Sequence, residues 1–195
     1  MACLIVLIDN DLEIVDRVLA GDNEAFSGII QDYQNRIFRY VYSKVYDYDE
    51  ALDMTQEIFV MTMESLKSFR RESKFSTWLY SIMVNYCKNY RKKRERYAVI
   101  PITRGDGAEE FELQIPDDRE DPARDIIDGD SLRIVKEELF NLPDDYREIL
   151  ILRDIEGLSY NDIVRVLGIN LSSVKVRIHR GRAMLKKRLV ERGFV

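Results

Sequence analysis

The chain has 195 residues, 46% of them hydrophobic and 33% charged, with a formal net charge of −5, which is room for one large or two small domains around a buried core. One histidine, His179, and two cysteines, Cys3 and Cys87, provide no metal-ligand spacing and no Cys/His catalytic pair, and isolated cysteines fit a reducing cytoplasm. With no phosphate loop or nucleophile–base pair either, the pattern predicts no cofactor, no small-molecule substrate and no enzyme.

The acidic average conceals segregation. From Lys67 to Arg96 the charges are overwhelmingly basic, interrupted only by Glu72 and Glu95, and Lys175 to Arg188 holds no acid. Between them lies a strongly acidic run. Two basic surfaces around an acidic connector predict bipartite contact with nucleic acid.

Apolar spacing is helical almost throughout, so the expected fold class is all-α. Met1 to Ile8 is apolar, too short for a membrane span and without the basic lead-in of a signal peptide, so it is expected to pack against the first helix. Leu12, Val15 and Leu19 begin that helix, which stops at Gly21. Asn23 is a candidate cap for a second, carrying Phe26, Ile29, Ile30, Tyr33, Ile37, Tyr40 and Val41. A third begins near Asp49 with Leu52, Thr55, Ile58, Phe59, Met63 and Leu66. After a polar loop at 68–74 a fourth runs from about Ser76 to Arg96, with Trp78, Leu79, Ile82, Met83 and Tyr86 inward.

Prolines, glycines and acids make 98–130 a flexible linker between a domain at 1–97 and a second helical domain at 131–195. In the second domain Leu132, Val135, Leu139 and Phe140 form one helix. Pro143 opens the next, with Asp144 and Asp145 in its first turn, and Gly157 ends it. Ser159 and Asp162 have capping-box spacing. Gly168-Ile169-Asn170 is then a turn into a helix studded with Lys and Arg, the pattern of a helix-turn-helix.

Three constellations bear on function. In the helix-turn-helix, Ser172 or Ser173 is a candidate cap and phosphate ligand. Val174 and Ile178 face inward, while Lys175, Arg177, Arg180 and Arg182 spread over the outer arc for phosphates and guanine edges. Such units also mediate protein contacts. The second constellation, Phe69 to Tyr80, interleaves aromatics, cations and hydroxyls at a loop-to-helix junction. That composition suits single-stranded nucleic acid and an extruded base, although Phe75, Trp78 and Tyr86 also read as core. Asn85 and Asn89 lie one turn apart near Lys88 and Arg91. The third, Asp49 to Phe59, is an acidic amphipathic helix, read equally as a solvated face or a surface for a basic protein partner.

Together these motifs resemble the extracytoplasmic-function group of the sigma-70 family, over roughly Leu12 to Leu189. Asp53-x-x-Gln56-Glu57-x-Phe59 is similar to the family's core-polymerase-binding signature. Phe69-Arg70-x-x-Ser73-x-Phe75-Ser76-Thr77-Trp78-Leu79 with Val84-Asn85-x-x-Lys88-Asn89 is similar to its promoter-melting and −10-reading stretch. Leu142-Pro143-x-x-Tyr146-Arg147-x-Ile149 and the segment Ser159 to Arg182 resemble its −35-reading domain.

The resemblance implies that Asp53, Gln56, Glu57 and Phe59 lie at or support the contact with the β′ clamp helices of core RNA polymerase, with the β flap as a further contact. It implies that Arg70, Arg71, Ser73, Lys74 and Phe75 hold a flipped −10 base near Asn85. Lys88, Asn89, Arg91, Lys92 and Arg94 would line the DNA there. Arg147, Ser172, Ser173, Lys175, Arg177, Arg180 and Arg182 would face the −35 element. Promoter DNA, duplex and single-stranded, and an anti-sigma factor are the other implied partners, in the cytoplasm and not embedded in a membrane.

Val176, Gly181 and Leu171 depart from the family's pattern, which favours a small polar residue, Ala and a polar residue there. The rival readings are an ordinary helix-turn-helix regulator and a sigma mimic that binds an anti-sigma protein.

Overall fold

A computed structural model describes residues 2–97 and 129–194, with side chains over 10–94 and 133–194. Helices α1 (Ala2–Leu19), α2 (Phe26–Val45), α3 (Tyr48–Ser65) and α4 (Phe75–Tyr97) form the N-terminal part. Helices α5 (Gly129–Phe140), α6 (Asp144–Leu150), α7 (Tyr160–Leu167) and α8 (Leu171–Glu191) form the C-terminal part. There is no strand among the described residues. The linker reading of 98–130 falls almost wholly outside them; Gly129 and Asp130 already belong to α5.

Local chemistry sets the helix ends, and several differ from expectation. Helix α1 starts at Ala2 rather than Leu12, because the apolar start carries no breaker. Asn23 does not cap α2; Asp22 caps a 3-10 turn at Asn23–Ala25, accepting from the Ala25 amide. Asp47 caps α3 through the Glu50 amide. In α7 the capping box is complete: the Ser159 hydroxyl accepts from the Asp162 amide at 3.1 Å, and the Asp162 carboxylate receives the Ser159 amide at 3.3 Å. Helix α6 passes into a π-type turn at Ile151–Ile155 before Gly157, whose φ of +72° turns the chain.

The N-terminal core forms where α2, α3 and α4 bury Ile29, Ile37, Val41, Ala51, Ile58, Leu79, Met83 and Val84. The C-terminal core gathers Ile149, Leu150, Leu152, Ile163, Val166, Val174 and Ile178, and the two join in one contiguous apolar cluster. Each fully buried aliphatic side chain stabilises by about 1.5–3 kcal/mol relative to exposure.

Charged and aromatic groups clasp the two parts together. Glu156, with a side chain 2% exposed, accepts from Arg36 Nε at 2.5 Å and the Tyr80 hydroxyl at 2.6 Å. Glu148 accepts from the Tyr40 hydroxyl and lies 3.4 Å from Lys44 Nζ. Asp144 takes Lys44 at 2.7 Å and Arg91 at 3.2 Å. Helix α7 lies on α4: Thr77 Oγ1 donates to Asp162 Oδ1 at 3.1 Å, and Lys88 Nζ donates to the Leu167 carbonyl at 3.1 Å. The expected pair of independent heads is therefore docked. Opposite charges from α2 and α4 meet α6, its turn and α7 in a partly dehydrated seam, where ion pairs are screened little.

Candidate nucleic-acid and polymerase interfaces

The loop after α3 stands on an aromatic base. Phe69 and Phe75 are buried edge to face at 5.6 Å, and the Trp78 ring lies 5.2 and 5.7 Å from them. Phe75 is thus core and backs the loop, leaving Arg70, Arg71 and Lys74 outside and Ser73 half-buried. Arg71 has a φ of +59°, an uncommon conformation for a residue with a Cβ, and its guanidinium pairs with Asp16 of α1.

Asp11, Leu12, Arg71, Ser73, Lys74, Phe75 and Ser76 line a recess of about 80 Å³. That is about half of the roughly 150 Å³ of a cavity that takes up benzene, so a whole base enters only if the loop gives. Asp11 accepts from the Tyr33 hydroxyl at 2.6 Å, and burial raises its pKa against that hydrogen bond. Asp11 was not legible as a lining residue: in sequence it is only an acid closing an apolar run.

On α4, Asn85 and Asn89 are exposed, as expected for groups that reach base edges. The cations beside them already have partners: Lys88 the Leu167 carbonyl, Arg91 Asp144, and Arg94 Glu50 at 3.2 Å. Lys92 is exposed. The Tyr90 hydroxyl also bonds Glu50, which pushes its pKa up to about 12.

On α3, Asp53, Gln56 and Glu57 are exposed together, whereas Phe59 is buried edge-on to Phe26 at 6.4 Å and supports the face from beneath. Leu52 and Met63, expected among the core residues, point outward with Val60. They occupy the arc of Gln56 and Glu57, so the acidic face carries an apolar stripe. The broad apolar arc of the sequence hid two faces, one in the core and one exposed to solvent.

In the helix-turn-helix, Gly168 at φ +68° closes α7, and the Asn170 side chain, not Ser172 or Ser173, caps α8 by accepting from the Ser173 amide at 2.7 Å. Both serines lie in the first turn. Val174, Ile178 and Gly181 face inward. Gly181 has a packing reason: a Cβ there would come within 3.3 Å of Leu150 Cδ1.

Lys175 and Arg180 are exposed. Arg177 pairs with Asp145 at 3.0 Å, and Arg182 holds Asp154 through two guanidinium nitrogens, which raises its pKa. Arg147, expected at the −35 element, is buried instead. It donates to the Phe140 and Leu142 carbonyls at 2.6 and 3.3 Å, to Asp144 at 2.9 Å, and to the Tyr46 hydroxyl. It ties the corner between α5 and α6, because those carbonyls lack helical partners.

Two docked helical domains, the second with a basic recognition helix, define a DNA-reading transcription protein. Residues 29–97 match sigma-70 region 2 and residues 132–185 match sigma-70 region 4. The chain is 36% identical over 182 residues to the RNA polymerase sigma-H factor of Pseudomonas aeruginosa, covering 93% of this chain and 94% of that protein. It is 33% identical over 180 residues to the ECF RNA polymerase sigma-E factor of Haemophilus influenzae, covering 92% and 95%. The fold is shared with CnrH in complex with the cytosolic domain of CnrY, at a TM-score of 0.63 and 21% identity over 93% of this chain and 98% of that one. It is also shared with the sigma factor RpoE bound to the anti-sigma factor NepR from Bartonella quintana, at 0.62 and 23% over 84% and 96%.

The chain belongs to the extracytoplasmic-function group of the sigma-70 family. It is a transcription initiation factor rather than an enzyme. No helix among the described residues is long and apolar enough to cross a membrane.

Proposed function

We propose that this chain binds core RNA polymerase in the cytoplasm, directs it to promoters with −10 and −35 elements, and nucleates strand opening. The domains are 1–97 for polymerase and −10 contact, a linker that ends before Gly129, and 129–195 for the −35 element. The observation that carries the reading is the pairing, within one domain, of the exposed acidic and apolar face of α3 with the strained, aromatic-backed loop before α4.

Asp53, Gln56 and Glu57, with Leu52, Val60 and Met63 between them, meet the β′ clamp helices, and Phe59 supports them. The C-terminal domain meets the β flap. Arg70, Arg71, Ser73 and Lys74 receive a flipped base near Asn85, a step that must offset an unpairing cost of a few kcal/mol. Asn89 and Lys92 track the DNA beside it, joined by Lys88 and Arg91 once α6 and α7 have left α4, and by Arg94 once a phosphate takes it from Glu50 of α3. Ser172, Ser173, Lys175, Arg177, Arg180 and Arg182 face the −35 element, with DNA phosphates displacing Asp145 and Asp154 from the arginines. An anti-sigma protein is the expected regulator.

Run-off transcription with core polymerase tests this. Adding the protein should give promoter-dependent transcripts that fall steeply with salt. Absence of initiation on every promoter of a randomised library would refute it.

A further inference from the structure

We propose that Val176 reads the 5-methyl group of a thymine in the −35 element, giving this recognition helix a base preference set by an apolar contact. The proposal rests on the reading of α8 as the −35 helix. At 100° per residue Val176 stands about 200° around the helix from the buried Val174, at the crown opposite the core. It is 43% exposed. A β-branched residue there adds nothing to the core and has lower helix propensity than Ala, so packing does not explain its presence.

Its surroundings do. Ser172, Ser173, Val176, Arg177 and Arg180 of α8, with Asp145 and Tyr146 of α6, line one open recess. Arg177 pairs with Asp145 at 3.0 Å, and with Arg180 beside it the cations of the recess outnumber its one carboxylate, so the recess is no anionic barrier to DNA even when a phosphate takes Arg177. The serine hydroxyls and Arg180 suit phosphate oxygens and the acceptor edge of guanine. An exposed apolar group among such polar neighbours matches the thymine methyl, the one apolar group that the major groove displays among donors and acceptors. Arg180 lies one turn on, about 6 Å along the helix. That spacing places a guanine within about two base-pair steps of the thymine, at 3.4 Å per step.

The test uses holoenzyme assembled with core polymerase. The preferred −35 sequence is selected from a randomised library, and each thymine in it is replaced singly by deoxyuridine, which removes only the methyl group. At one position deoxyuridine should weaken promoter binding about fourfold, the weight of one buried methyl group. Val176→Ser should bind thymine and deoxyuridine promoters alike while keeping the melting temperature of the unaltered protein.

If deoxyuridine is without effect everywhere while base substitutions in the −35 element still matter, the Val176 contact is overturned and the −35 reading stands. If neither those substitutions nor Arg180→Ala alters binding, the −35 reading itself fails and takes this proposal with it. An equal thymine preference in Val176→Ser would also overturn it, assigning the methyl contact to another side chain.

Discussion

Replacing Glu156 by Ala should part the two domains. The carboxylate is 2% exposed, accepts from Arg36 Nε at 2.5 Å and the Tyr80 hydroxyl at 2.6 Å, and lies 3.9 Å from Arg39. Removing one partner of a buried ion pair costs about 3–5 kcal/mol. Arg36 is 34% exposed and can regain water, which brings the ion-pair loss toward or below the lower end. The Tyr80 hydroxyl is buried and would lose its acceptor, adding about 1–3 kcal/mol unless water enters. A total of about 3–4 kcal/mol lowers the ratio of docked to parted protein by roughly two to three orders of magnitude. Glu156→Gln keeps an acceptor for Tyr80 and should lose about half as much free energy. The assay is an interdomain distance distribution between spin labels at Glu64 and Lys187, both exposed. Glu156→Ala should broaden it and shift it outward, with Glu156→Gln in between. An unchanged distribution in Glu156→Ala, in a protein that retains its helical content, would refute the view that this seam holds the domains together.

Other outcomes follow from the same geometry. Burial pushes the Cys87 thiol up to about 12, so at pH 8 alkylation of a Cys3→Ser background should be negligible in the folded protein and should track unfolding in a denaturant titration. Although burial works against it, Lys44 and Arg147 hold Asp144 below the ordinary carboxylate range. Its contribution to docking is therefore present above the unfolded value near 4 and is lost as pH falls through its lower folded value; the labelled distance should stay constant from pH 5 to 8 and lengthen only below about 4. Gly181→Val should lower thermal stability by about 1–3 kcal/mol, because the branched side chain meets Leu150, and differential scanning calorimetry would register it. Arg180→Ala should weaken promoters by about 1–3 kcal/mol according to their −35 sequence, read by filter binding, whereas Lys175→Ala should weaken all of them alike.

Regular features of the fold were legible in the sequence. Of the expected stripe, Phe26, Ile29, Tyr33, Ile37, Tyr40 and Val41 became the buried face of α2 while Ile30 faces solvent, and Ser159 with Asp162 became a complete capping box. What escaped was long-range. Arg36 and Glu156 are 120 residues apart, and nothing local distinguishes Glu156 from an acid on a solvated helix. Arg147 looked like a surface cation because the carbonyls it satisfies arise only when α5 and α6 turn a corner. Leu52 and Met63 looked like core because an exposed apolar stripe beside a core stripe merges into one apolar arc. Gly181 looked only like a departure from the family's pattern because Leu150, which it packs against, lies outside its helix.

Asp162 divides its carboxylate between two tasks. One oxygen receives the Ser159 amide, fixing the first turn of α7, and the other receives Thr77 of α4. Substitution at Asp162 cannot loosen the seam without fraying the helix on which the recognition helix leans. Thr77 carries no such double duty, since its partner in α7 keeps the cap when the hydroxyl is gone. Docking strength can therefore drift over generations through α4 alone, by changes such as Thr77→Val, while the promoter-reading helix pair stays intact. At this contact the N-terminal domain is the side from which evolution, or an engineer, can adjust docking without touching a helix cap.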